Sequence, residues 1–224
     1  MLIHNRLAQK RLDRKTELLA VTRELIIERG VEGVSMLDIA KKAGLSKAAL
    51  YLSFPSKEAI LLEILTETST NFLAYAREQL RDKESGIEAI RTLWICYLKV
   101  FGSASDTMMM FGIKNVVAPG YPMVSDLVPR DGTKPFGAMV GLIRDVLARG
   151  VADGTLDPSI DPEKTARIVL MISGGIIDCA SRLPIGKRDV RAMQAEMKRT
   201  FEIVLRGLAS QRCDRSMLVL PEME

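Results

Sequence analysis

Leu18, Val21, Leu25 and Ile26 recur at three-to-four spacing within a stretch from about Leu12 to Arg29, which predicts an amphipathic helix. Gly30 supplies its stop. Ser35 then precedes Met36-Leu37-Asp38-Ile39-Ala40, an S-x-x-D opening in which the hydroxyl caps an early backbone N–H and the acid favours the positive helix end. That second helix runs only to about Ala43, because Gly44 brings the positive φ of a tight turn and Ser46 is placed to cap another helix. The third helix, Lys47 to about Ser53, halts at Phe54-Pro55. Ser56-Lys57-Glu58 opens a much longer helix through Ile60, Leu61, Ile64, Leu65, Phe72 and Leu73.

Beyond Gly86, the stripe Ile87, Ile90, Leu93, Trp94, Tyr97, Leu98 and Phe101 predicts a fifth helix. Pro119, Gly120, Pro122, Pro129, Gly132 and Pro135 then concentrate the turn signals. Further helices are expected over Phe136 to Arg149, Pro162 to about Ser181 and Asp189 to about Leu208, the middle one opened by an Asp161-Pro162 pair. Strand-like alternation is missing throughout. The expected fold is all-α with about nine helices. Gln211 to Glu224 shows no clear partner face, and its ending Pro221-Glu222-Met223-Glu224 reads as a frayed tail.

Net charge is +4, and its location matters more than its size. Residues 1–60 hold eleven Lys/Arg against seven Asp/Glu, whereas the remainder is balanced. Arg6, Lys10, Arg11, Arg14 and Lys15 form a basic amino-terminal arm suited to phosphate, anionic lipid or an acidic partner. Cys96, Cys179 and Cys213 are scattered and odd in number, and His4 is the single histidine, so neither a disulfide framework nor a zinc site is supported. No metal or cofactor is expected. Charges stand where a signal peptide needs its apolar stretch, and the longest apolar run, Ile168 to Ile177, is about half a bilayer span. A cytoplasmic, reduced protein without membrane association is expected.

Ser35 to Phe54 carries the requirements of a helix-turn-helix: two short helices, a glycine turn, small Ala40 and Ala43, and inward anchors Ile39, Leu45 and Leu50. Gly30, Ser35-Met36-x-x-Ile39-Ala40, Gly44-Leu45-Ser46-Lys47 and Leu50-Tyr51-x-x-Phe54-Pro55-Ser56-Lys57-Glu58 together resemble the amino-terminal domain of TetR-family transcriptional repressors, over roughly residues 12–65. The resemblance implies a helix-turn-helix DNA-binding domain with its basic arm at 1–57. It also implies a helical ligand-binding and dimerisation domain at 58–224, a homodimer on a palindromic double-stranded operator, and release by a small-molecule effector.

A recognition helix needs short side chains at its entry to the groove, and Lys47, Ala48 and Ala49 have that profile. Lys47 is expected at a guanine edge or a phosphate, Ala49 at a thymine methyl, and Tyr51 and Lys57 on backbone phosphates. Ser35 and Ser46 are caps that can also meet a phosphate. Two positions depart from the family pattern. Ala49 lacks the hydroxyl often found there, and Ser53 replaces an aromatic or histidine. Met36 and Leu37 offer no hydrogen-bonded readout, leaving the basic arm to compensate through phosphate or minor-groove contacts.

In the remaining two thirds, a Met-rich apolar inventory suits either an ordinary core or an adaptable pocket. The candidate pocket residues are Arg91, Trp94, Tyr97, Phe111, Asn115, Met139 and Asp178. The last two predicted helices carry Ile172, Gly175, Ile176 and Cys179, then Phe201, Val204, Leu205 and Leu208, which the resemblance assigns to a four-helix dimer interface. An enzyme is not expected, since no nucleophile with a base, metal cluster, Walker loop or G-x-G-x-x-G fingerprint is present. The alternative is a helical adaptor that keeps the helix-turn-helix corner without reading DNA.

Overall fold

The computed structural model describes residues 2–83, 85–100, 113, 135–181 and 189–222. They contain eight α-helices: α1 Leu2–Arg29, α2 Met36–Lys42, α3 Lys47–Ser53, α4 Lys57–Gln79, α5 Gly86–Val100, α6 Pro135–Ala152, α7 Pro162–Ser181 and α8 Val190–Leu208. A 3₁₀ turn, Arg215–Leu218, follows, and no strand occurs among the described residues beyond an isolated bridge between Leu156 and Ala209. The chain is all-α, as its periodicity predicts. The first helix starts ten residues earlier than the apolar stripe indicates. Residues 2–29 hold no glycine or proline, so good helix formers carry the backbone geometry past the end of the buried face. The basic arm is therefore the first part of α1.

The described residues gather into two compact units, one running through Glu67 with Ile113, the other comprising 68–100 and the residues from 135 onward. In the first unit Leu18, Leu25, Ile39, Leu50, Ile60, Leu61 and Ile64 are fully buried, each burial contributing roughly 1.5–3 kcal/mol. Thr22, also fully buried, satisfies its hydroxyl by donating to the Leu18 carbonyl at 2.7 Å. Arg23 joins α1 to α4 through Glu67 at 2.9 Å.

In the second unit α5, α6, α7 and α8 pack on one another. The centre is aromatic: Trp94 of α5 stacks on Phe201 of α8 at 5.1 Å between ring centroids, and Tyr97 meets Phe201 edge-on at 5.7 Å. The start of α5 crosses the end of α6 at Gly86 and Gly150, where a Cβ on Gly86 would lie 2.1 Å from the Gly150 Cα. Only glycine permits that approach. The Gly86 N–H donates to Asp153 at 2.6 Å and the Ile87 N–H to the Thr155 hydroxyl at 3.1 Å, so side chains beyond α6 cap α5.

The expectation that the segment from Gln211 onward lacks a partner face is corrected by the structure. Cys213, Leu218 and Leu220 are buried, Asp214 caps the 3₁₀ turn, and Arg91 donates to the Val219 carbonyl at 3.2 Å. The Leu220 N–H donates to Glu202 of α8 at 3.0 Å, and Lys198 pairs with Glu222. Three buried apolar side chains and these polar ties give this stretch a defined seat on α5 and α8.

Candidate nucleic-acid interface

The corner between α2 and α3 is built by local chemistry. Ser35 accepts from the Asp38 N–H at 3.2 Å while the Asp38 carboxylate accepts from the Ser35 N–H at 2.9 Å, a reciprocal capping box. The Ser35 hydroxyl and backbone N–H hold the Asp38 carboxyl below the usual carboxylate range. At the other end of α2 the chain turns at Gly44, φ +64°, and the Leu45 N–H returns to the Ala40 carbonyl at 2.9 Å. Ser46 then caps α3 by accepting from the Ala49 N–H at 3.2 Å. Phe54, 3% exposed, closes α3 in extended conformation.

Leu50 anchors α3 to the core with no exposed surface. Lys47, Ala48, Tyr51 and Leu52 are exposed, whereas Ala49 and Ser53 are half-buried. The Lys47 ammonium lies over the Tyr51 ring, 5.8 Å from its centroid. Lys15 of α1 lies over Phe54 at 5.3 Å, so the basic stretch of α1 passes beside the end of α3. Two cations near this corner are engaged by neighbours: Arg29 by Asp38 at 3.5 Å, and Lys42 by Glu24 and Glu28, both at 3.1 Å. Hydrogen bonds donated to those two carboxylates push the Lys42 ammonium above its ordinary value.

Lys57 has a different setting from the outward phosphate ligand that its position in the motif implies. Its ammonium donates to the carbonyls of Val31 at 3.1 Å and Val34 at 2.9 Å, tying the α1–α2 connection to the start of α4. Ser35, Ser46, Lys47, Ala48, Ala49 and Tyr51 all lie on the α2–α3 corner, the serines as caps. Sequence reasoning passed over Leu52, which is 90% exposed. Its signal was its offset of two positions from the inward anchor Leu50, which turns it to the opposite side of the helix.

The candidate effector residues do not come together as one set. Trp94 and Tyr97 meet around Phe201 in the aromatic centre. The Tyr97 hydroxyl donates to the Ser173 carbonyl at 3.2 Å, and burial drives its pKa upward. Met139 is half-buried on α6. Arg91 points to the carboxy-terminal segment instead of an internal cavity. Phe111 and Asn115 lie outside the described residues, as does the side chain of Asp178 on α7.

The candidate interface residues separate. Phe201 and Leu205 have no exposed surface within their own protomer and Leu208 has 8%. The partner-facing reading of Phe201 and Leu205 is therefore corrected: packing on α5 satisfies that side of α8. Ile172, Gly175 and Val204 are half-buried, with Ile168 and Ile203 at 51% and 65% exposure on the same two helices. The side chains of Ile176 and Cys179 lie outside the described set.

Among the described residues no His, Cys, Asp and Glu cluster could hold a metal ion, and no described helix is long and apolar enough to cross a membrane. Comparison with known proteins gives a consistent picture. A family model described as bacterial regulatory proteins, tetR family, matches residues 18–64. The transcriptional regulator EthR of Mycobacterium tuberculosis is 43% identical over 53 residues, 24% of this chain and 24% of EthR, so the chain spans about a quarter of that relative's length. The transcriptional repressor KstR2 of Rhodococcus jostii is 30% identical over 161 residues, covering 70% of this chain and 74% of KstR2. The structure of the regulator FadR from Bacillus subtilis in complex with stearoyl-CoA aligns with TM-score 0.59 and 18% identity, over 87% of this chain and 97% of that one, a likeness of fold.

Proposed function

The chain belongs to the TetR family of DNA-binding transcriptional regulators, and from that premise we propose that it is a ligand-responsive repressor acting in the cytoplasm as a homodimer on a palindromic operator. The observation that carries this reading is α3: capped by Ser46, anchored by Leu50, and presenting Lys47, Ala48, Tyr51 and Leu52 to solvent. A major groove accepts such a helix, and base edges are read by what its outer face carries. Residues 1–57 would serve DNA, with Lys47 on a base edge or phosphate, Tyr51 on a phosphate, and Ser35 and Ser46 setting the helix ends. Residues 58–224 would serve the effector and the partner subunit.

The repressor polarity is supported by KstR2, which is named a repressor. A small-molecule effector is supported by FadR, whose structure contains stearoyl-CoA. Dimerisation through α7 and α8 is supported by Ile168 and Ile203, large apolar side chains left in water. Regulation needs no covalent chemistry. A ligand that favours one separation of the two reading heads shifts the equilibrium by its difference in affinity for the two arrangements.

Binding of the full-length protein to duplex carrying the promoter beside its own coding sequence, titrated with salt, tests this reading. Each phosphate contact adds about 0.9 to the slope of log affinity against log salt, so a steep loss is expected, and Lys47→Ala should change which sequences bind. Salt-independent or sequence-indifferent binding would favour the adaptor alternative.

A further inference from the structure

On a helix of 3.6 residues per turn, positions two before and two after a given residue lie close to its opposite side, one turn apart from each other. With Leu50 fully buried, the outermost line of α3 is therefore Ala48 and Leu52. Both are exposed, and Leu52 at 90% is the most exposed of the large hydrophobic side chains among the described residues. Lys47 and Tyr51 flank this line on one side, their side chains stacked on each other. On the other side Ala49 and Ser53 are half-buried, with the Ser53 hydroxyl turned back to the Ala49 carbonyl at 3.5 Å. The crest of the helix carries no hydrogen-bonding side chain.

In the major groove the thymine 5-methyl is the only methyl group and the most prominent apolar feature among the base edges. A leucine set against any other edge would strip water from a donor or acceptor and return nothing for it. We infer that the Ala48–Leu52 line reads thymine methyl groups and that Leu52 is the principal specificity-determining residue, with Tyr51 orienting the helix at its flank and Lys47 adding a secondary polar contact there. The inference rests on the DNA-reading role proposed above and goes beyond it by naming the chemical feature in the operator.

The probe is the tightest duplex selected from a random library by the full-length protein, with each thymine replaced singly by deoxyuridine, which removes one methyl and leaves the base pair intact. At one thymine in each half-site the wild-type dissociation constant should rise about fourfold, the value of one buried methyl. Leu52→Ala should bind the thymine and deoxyuridine duplexes equally at that position. An unchanged thermal transition for the variant would show that the fold is intact, as expected for so exposed a side chain. Enrichment of a sequence with no methyl-sensitive thymine, or a full methyl penalty retained by Leu52→Ala, would overturn this inference alone. Failure to enrich any sequence would overturn the DNA-reading role and this inference with it.

Discussion

Replacing Lys57 with methionine keeps the length and the apolar stem of the side chain while removing its donors. In the structure those donors meet the Val31 and Val34 carbonyls at 3.1 and 2.9 Å, and Val31 and Val34 are themselves buried at 6% and 2% exposure. A hydrogen bond to a charged group contributes about 1.5–3 kcal/mol. Lys57 is only half-buried and water can reach the freed carbonyls, so the pair together should contribute about 2 kcal/mol. For a chain of this size that corresponds to a fall of about 4–8 °C in the midpoint of the thermal transition. Circular dichroism melts of wild type and Lys57→Met measure it directly. The same two proteins, titrated with salt against duplex, should show equal slopes, because an ammonium tied to two carbonyls is not the one neutralising a phosphate. An unchanged melting midpoint together with a slope reduced by about one would refute the tether and make Lys57 a phosphate ligand.

Gly86→Ala should destabilise the second unit by more than the roughly 1–3 kcal/mol of ordinary overpacking, because the added Cβ meets backbone at Gly150 and not a movable side chain; a melt like that of wild type would contradict the close crossing. The Asp38 carboxyl is held below its ordinary 3.8 by Ser35, so its contribution is complete above about pH 4 and is lost as pH falls through the lowered value. Asp38→Asn should accordingly narrow its stability deficit below about pH 4, as followed by denaturation at several pH values; a deficit that widens on acidification would reverse the sign. Arg91→Ala removes the donor to Val219 and should speed proteolysis within residues 209–222 at least severalfold at unchanged overall fold, which a timed digest analysed by mass would show; equal digestion rates would mean that the remaining buried side chains and polar ties hold the segment without Arg91.

What was legible in the sequence was short-range. Ser35 and Asp38 form their box across three residues, Gly44 turns the chain by itself, and Ser46 reaches only to Ala49. These features depend on neighbours along the chain, and they fixed the corner that carries α3. What was not legible depended on which of two apolar faces meets the chain's own core. Phe201, Val204, Leu205 and Leu208 read as one stripe, yet Phe201 stacks on Trp94 and is fully buried together with Leu205, while Ile203 is left outside. Arg91 and Val219 are 128 residues apart, beyond any periodic pattern. Lys57 shows the same limit, since a motif position gives a residue's place on a helix and not which carbonyls lie beside it.

The most direct test of the central claim is to count chains and protected patches on a selected duplex, by native mass measurement joined to hydroxyl-radical footprinting. The expected result is two chains per duplex and two protected patches on one face, about one helical turn or somewhat more apart. One chain per duplex with a single patch, or equal protection of a scrambled duplex, would contradict it.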